Sequence, residues 1–148
     1  MEELPMEVTD HPTVADWTWP ENNINQFNIQ VTGYDDYRPL AIYVRDSGGA
    51  ILAGLTAFTW GGTLRILFLW VDENWRRRGY GTRLLAVAEE EAITRRCKQV
   101  VLDTHSFQAP AFYPGRGYTA CGVTLDYPVG YQQTTFQKRL GQPQPPTN

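Results

Sequence analysis

Apolar positions are sparse and irregular at the start of the chain and strongly patterned after it. Over residues 1–25, Pro5, Pro12 and Pro20 interrupt a scatter of polar side chains, so an irregular segment is expected there. Phe27, Ile29 and Val31 then alternate with polar residues, which predicts a first strand. The connection GYDDYRP leads to a second predicted strand over residues 40–45. Asp46-Ser47-Gly48-Gly49 predicts a hairpin turn into a strand over residues 50–60, because glycine permits the positive φ that such turns need. Gly61-Gly62 turns the chain again. The continuous apolar run at residues 66–71 predicts a fully buried central strand, too short to span a membrane.

The period then changes. Leu84, Leu85, Ala88 and Ala92 form one apolar stripe at helical spacing, with Arg83, Glu89, Glu90 and Arg96 largely off it. Glu91 and Arg95 form an i,i+4 pair of favourable order, and Arg95, Arg96 and Lys98 suit the negative end of a helix. This helix starts close to Gly81. Its first-turn N–H groups have no intrahelical acceptor, and the preceding Arg76-Arg77-Arg78-Gly79-Tyr80-Gly81 surrounds them with positive charge and little bulk at the glycines. Strand, turn and helix thus form an anion-binding device suited to a diphosphate. Residues 99–103 predict a strand that closes a parallel β-α-β crossover. A short helix is expected over residues 109–113, with Pro110 in its first turn and Gly115 to Gly117 ending it. Residues 119–125 and 131–140 predict an antiparallel hairpin, followed by a proline-rich, disordered tail.

The length of 148 residues allows one domain with a proper core. The net charge of −3 and a pI near 5.3 argue against a general nucleic-acid binder, so the arginine cluster is a local feature. The acidic amino terminus lacks an apolar leader and no run reaches membrane-spanning length, which points to a cytoplasmic protein without a membrane partner. Cys97 and Cys121 are too isolated for a disulfide framework or a zinc site and are read as reduced thiols.

Two segments carry a family resemblance. Arg76-Arg77-Arg78-Gly79-Tyr80-Gly81, between an apolar strand and a helix, resembles the acetyl-CoA signature R/Q-x-x-G-x-G/A of the GNAT acetyltransferase superfamily. Residues 106–118, SFQAPAFYPGRGY, resemble the later family run N-x-x-A-x-x-x-Y-x-x-x-G-[FY]. The resemblance covers residues 64–140. It implies an α/β (α+β) fold with one domain at residues 26–140, flanked by the irregular segment 1–25 and the tail 141–148. The sheet is expected to be mixed, mostly antiparallel and twisted, with about six or seven strands, a central β-α-β crossover and few helices.

The resemblance also implies acetyl-CoA as co-substrate and an amine as acceptor. The central strand is expected to splay from the strand after the helix, with the pantetheine arm filling the gap against the backbone of Leu69, Trp70 and Val71. An N–H there would polarise the thioester carbonyl. The loop Arg76, Arg77, Arg78, Gly79, Tyr80, Gly81 and Thr82 would hold the phosphates. Ser106 stands where the family has asparagine and is carried over as a cofactor contact through its hydroxyl. Tyr113 aligns with the family tyrosine that protonates the departing thiolate; its competing reading is a core aromatic beside Tyr118.

The base is less determined. The central strand carries no carboxylate, and His105 is the candidate, since histidine can take a proton near neutral pH. Asp103 and water relays compete with it. Family folds place one or two helices between the first two strands, where only GYDDYRP stands here. An open acceptor side follows, or one completed by the amino-terminal segment or a second subunit in a homodimer. Asp35, Asp36 and Asp126 suit a cationic amine, and Trp60, Trp70 and Trp75 are candidates for an aromatic acceptor pocket or for core. A CoA-binding sensor without catalysis is the alternative reading, and a phosphate or nucleic-acid binder is disfavoured by charge.

Overall fold

The computed structural model describes residues 1–141, so residues 142–148 of the expected tail lie outside the described residues. The chain forms two compact units, residues 1–35 and residues 36 onward. The first contains a helix, α1 (Val14–Thr32). This corrects two expectations: residues 14–25 are not irregular, and Phe27, Ile29 and Val31 do not form a strand. Thr13 caps the helix by accepting the Asp16 N–H at 3.1 Å, and Gly33, at φ 75°, ends it by donating its N–H to Ile29. Ile24, Phe27 and Val31 are i, i+3, i+7, so two of the three residues that alternate, Phe27 and Val31, also share a helical face. GYDDYRP therefore joins a helix to the first strand rather than two strands, and the first two strands, β1 and β2, are joined by a turn with no helix between them.

The second unit is built on a six-stranded sheet of order β1-β2-β3-β4-β6-β5. The strands are β1 (Arg38–Arg45), β2 (Ile51–Trp60), β3 (Thr63–Val71), β4 (Gln99–His105), β5 (Thr119–Leu125) and β6 (Gln132–Arg139), with α2 (Tyr80–Thr94) between β3 and β4. Only the β3–β4 pair is parallel; the remaining pairs are antiparallel. The expected short helix after β4 is two 3-10 turns, Pro110–Phe112 and Pro114–Arg116, because the second proline interrupts the first turn and Gly117, at φ 86°, ends the segment.

The core lies on the α2 side of the sheet. Leu84, Leu85, Ala88 and Ala92 are the buried residues of α2, the stripe predicted from spacing. They meet Leu55, Leu64, Val100 and Leu102 from the strands. Each fully buried leucine among them stabilises by about 1.5–3 kcal/mol. Arg95 ties the carboxy end of α2 to the sheet: Nε bonds Glu91 at 2.9 Å, and Nη1 donates to the carbonyls of Arg38 and Pro39 and to Thr59 Oγ1.

The central strand is not fully buried. Ala57 pairs with Ile66 but Thr56 with Phe68, leaving Leu67 as an extra residue in a β-bulge. Because side chains alternate with period two, the extra residue exchanges the faces. Leu64 and Ile66 face the core before it and Leu69 and Val71 after it, while Phe68 and Trp70 are turned out, 75% and 66% exposed. The unbroken apolar run thus serves both faces of the sheet in succession.

Tyr118 is 3% exposed and its hydroxyl has no partner among the described residues. Burial, and then the Glu89 carboxylate, push its pKa up from the phenol range. The native state therefore keeps this proton above about pH 10, where the unfolded chain releases it, and stability falls as pH rises through that region. Tyr118→Phe is expected to be as stable as the parent or up to about 1 kcal/mol more stable at pH 8. It should also lose less stability by pH 11. Urea midpoints across that range check this.

Candidate active site

The site is a division in the sheet. β3 and β4 pair only at Thr63–Gln99, Leu64–Val100 and Arg65–Val101. Beyond these, β3 stays paired to β2 as far as Val71–Ala53, and β4 to β6 as far as His105–Gln133. Each strand is held on its outer side and free on the side facing the other. The gap between them therefore exposes backbone donors and acceptors on both walls, the edge that an extended amide-bearing ligand can complete. Leu69, Trp70 and Val71 lie on one wall, as expected.

The mouth of the gap is the amino end of α2. Gly79 occupies the N-cap at φ 82° with no side-chain cap, and Arg77, a non-glycine residue, sits at φ 61°. This alternation of left-handed residues turns successive N–H groups to one side. Those of residues 77–82 donate to no group among the described residues. No acidic residue occupies the first turn of α2, so the positive end of the helix is uncompensated there. A Cβ at Gly81 would lie 3.6 Å from Phe112 Cζ and 4.0 Å from Leu69 Cδ2, ordinary contact distances, so Leu69 of β3 and Phe112 of the later turn both flank the first turn of α2.

The three arginines divide their work. Arg76 Nε donates to the Val71 carbonyl at 3.0 Å and its guanidinium lies 4.5 Å from the Trp70 ring, while Arg78 stacks 4.7 Å from Trp75. Arg77 has no side-chain partner among the described residues and is the cation left for a phosphate. The Thr82 hydroxyl accepts from Arg116 Nη2 at 2.7 Å and Nε at 3.1 Å, so only its backbone is offered to a ligand. Tyr80 is a half-buried ring edge-on to Trp75. Arg116, which the sequence reading left unassigned, also donates to the Phe112 carbonyl at 2.6 Å. It thereby locks the turns that carry Tyr113 onto the first turn of α2.

Tyr113 is 9% exposed and packs against Tyr118 and Phe136. The ring is core, and its hydroxyl has no partner among the described residues. Burial pushes its pKa up, which keeps it a proton donor across the neutral range.

The remaining candidates separate. Asp103 pairs with Arg65 Nη2 at 2.7 Å and accepts from Thr135 Oγ1 at 2.5 Å, so both carboxylate oxygens are engaged. His105 is not so engaged. Its Nδ1 lies 2.9 Å from the Tyr127 carbonyl, which can only accept, so the proton is on Nδ1 and Nε2 keeps its lone pair. Phe107 stacks on the same imidazole. Ser106 accepts the Gln132 N–H at 3.1 Å and donates its own to the Gln132 carbonyl at 2.8 Å, closing the end of the β4–β6 ladder. That ladder bond is the use the structure gives its hydroxyl oxygen. Of the tryptophans, Trp70 is exposed and Trp60 and Trp75 are half-buried, so they are not ordinary core.

The profile of the acetyltransferase (GNAT) family matches residues 9–118, and the chain belongs to that family. It is 34% identical over 114 residues to acetyltransferase Atu2258 of Agrobacterium fabrum, covering 77% of this chain and 83% of that protein. It is 35% identical over 107 residues to blasticidin-S acetyltransferase of Streptomyces morookaense, covering 70% of this chain and 79% of that one. The crystal structure of an acetyltransferase from Bacillus cereus is 34% identical and superposes with a TM-score of 0.81 over 90% of this chain and 98% of its own. The single-sheet α/β fold and the acyltransferase class follow. The family match also reaches back across α1, which the motifs over residues 64–140 did not. No helix among the described residues is long and apolar enough to cross a membrane.

The two loop glycines should respond differently to a methyl group. Gly79→Ala forces alanine to φ 82° and is expected to cost about 1–2 kcal/mol. Gly81→Ala, inside the helix with its new Cβ at ordinary contact distance, should be neutral or stabilising by up to about 1 kcal/mol. Urea denaturation of the two variants measures the contrast.

Proposed function

We propose that this chain transfers the acetyl group of acetyl-CoA directly to a primary amine. The observation that carries the reading is the gap between β3 and β4, with unpaired backbone on both walls and a mouth of undonated N–H groups. A diphosphate suits residues 77–82, and the amides of a pantetheine arm suit the two strand edges. One extended anionic thioester would draw on both sets of groups.

The transfer needs three proton and electron movements. The amine nitrogen forms a bond to the thioester carbon, and the oxygen takes negative charge that a backbone N–H near Leu69 or Trp70 steadies. The C–S bond then breaks, its electron pair goes to sulfur, and Tyr113 protonates the thiolate. The proton lost by the amine passes to His105 Nε2, directly or through one water, and from there to solvent, which also restores the Tyr113 hydroxyl. A buried phenol is suited to the acid role because its neutral form is the one that burial favours.

The amine character of the acceptor is what the resemblance to the GNAT acetyltransferases implies. Pairing into a homodimer is supported by β5, an exposed edge strand with no charged residue. A shift to half the apparent mass on sizing when Val123→Lys is introduced would check it.

Release of free thiol from acetyl-CoA in the presence of amines tests the central reading. Tyr113→Phe is expected to lower kcat about 10²–10⁴-fold while acetyl-CoA binding persists, and His105→Ala to lower kcat about 10²-fold or more. Tight CoA binding without turnover on any amine would instead establish a CoA-binding sensor. Unchanged turnover in folded Tyr113→Phe removes the acid assignment.

A further inference from the structure

The face of the sheet opposite α2 holds an apolar trough that the cofactor reading does not use. The bulge at Leu67 creates it by turning Phe68 and Trp70 outward. Their cross-strand neighbours are Thr56 and Gly54, so two exposed aromatic side chains stand over a floor of one small polar residue and one bare backbone position. The hollow has a volume of about 260 Å³ and is completed by Ile51, Leu52 and Asp72. Gly54 cannot carry a side chain without rearrangement: a Cβ there would lie 3.1 Å from Tyr43 Cδ1 and 3.4 Å from the Ile42 carbonyl.

Charge is confined to one end of this trough. Asp72 is the only ionisable residue that lines it. One of its oxygens accepts the Asn74 N–H at 3.0 Å, and the other has no hydrogen-bond partner among the described residues. Asp72 directly follows Val71, the last residue of β3, so the free oxygen stands at the end of the strand whose backbone walls the gap. Nearby, the Arg76 guanidinium already stacks 4.5 Å from the Trp70 ring. One carboxylate therefore lines the trough, and a cation lies over the Trp70 ring that forms part of it. A molecule carrying a single ammonium is complementary, whereas a second positive charge on the same molecule would meet Arg76.

The geometry points to an amphiphilic primary amine as the acceptor, with its ammonium at Asp72 and a flat apolar body laid on Phe68 and Trp70 above Thr56. This rests on the acetyl-transfer reading, because the amine held at Asp72 is the one acylated. Ring-face contact suits a planar body, and the volume admits one ring with a short chain rather than a peptide. A polyamine is disfavoured twice, by Arg76 and by the apolar floor.

Binding is the test that does not depend on turnover. With CoA present throughout, 2-phenylethylamine and spermidine are titrated calorimetrically into the parent protein, Thr56→Phe and Asp72→Asn. Thr56→Phe fills the trough from its floor. Asp72→Asn keeps a side chain that caps the following turn equally well and removes only the charge. The parent is expected to bind 2-phenylethylamine at least about tenfold more tightly than spermidine, and each variant to weaken it about tenfold, the size expected for loss of a charged hydrogen bond or of the contact surface. CoA affinity should be unchanged in both. No binding of 2-phenylethylamine, a preference for spermidine, or equal affinity in all three proteins overturns the trough as acceptor site. Binding that follows this pattern while no amine releases CoA supports the trough and overturns acetyl transfer, so the two failures are distinct.

Discussion

The structure depends on a parallel strand pair that is allowed to form only part way. β3 and β4 share three register pairs and then separate, although each remains fully bonded on its other side. A twisted sheet can sustain this because the two halves, β1-β2-β3 and β4-β6-β5, are each antiparallel and stable by their own ladders. The bulge at Leu67 increases the local twist just beyond the last shared pair. Leu69 and Phe112 both come within 4 Å of the Cβ position at Gly81, where α2 begins. The free edges are a standing cost in unsatisfied backbone that an extended ligand would remove.

Polar anchors keep the division in place at both ends of α2. At its carboxy end, Arg95 binds carbonyls of β1 and the Thr59 hydroxyl of β2. At its amino end, Arg116 joins Thr82 to the Phe112 carbonyl. Each anchor uses a guanidinium because several acceptors must be met in fixed directions, which an ammonium on a flexible stem does less well. The Tyr113 ring is consequently placed by its packing on Tyr118 and Phe136 and by bonds to its backbone carbonyl from Arg116 and Tyr118, with no hydrogen bond from its hydroxyl among the described residues. The core packing that buries its ring is also what keeps its hydroxyl neutral.

The site was partly legible because its cofactor half is local in sequence. Arg76 to Gly81 is contiguous, its conformation is dictated by glycine and by the start of a helix, and the stripe Leu84, Leu85, Ala88 and Ala92 follows within one element. The amino-terminal unit resisted reading because its signals conflict at short range. Phe27, Ile29 and Val31 satisfy a period of two while Phe27 and Val31 also stand at a helical i, i+4 relation, and the distant caps at Thr13 and Gly33 decide between them. Asp103 looks like a free carboxylate until Arg65 and Thr135 arrive from neighbouring strands.

The sequence by itself determined the strands around the two hairpin turns, the position and buried face of α2, and the glycine-rich turn that precedes it. All of these follow from propensity, period and glycine placement over a few neighbouring residues. Tertiary structure alone decided that residues 66–71 change faces in mid-strand, where β3 and β4 part, which oxygen of Asp103 is taken by which neighbour, and that His105 keeps its lone pair on Nε2. The physical reason is common to them: each depends on the register between strands distant in sequence, and a shift of one residue in that register would exchange the buried and exposed faces.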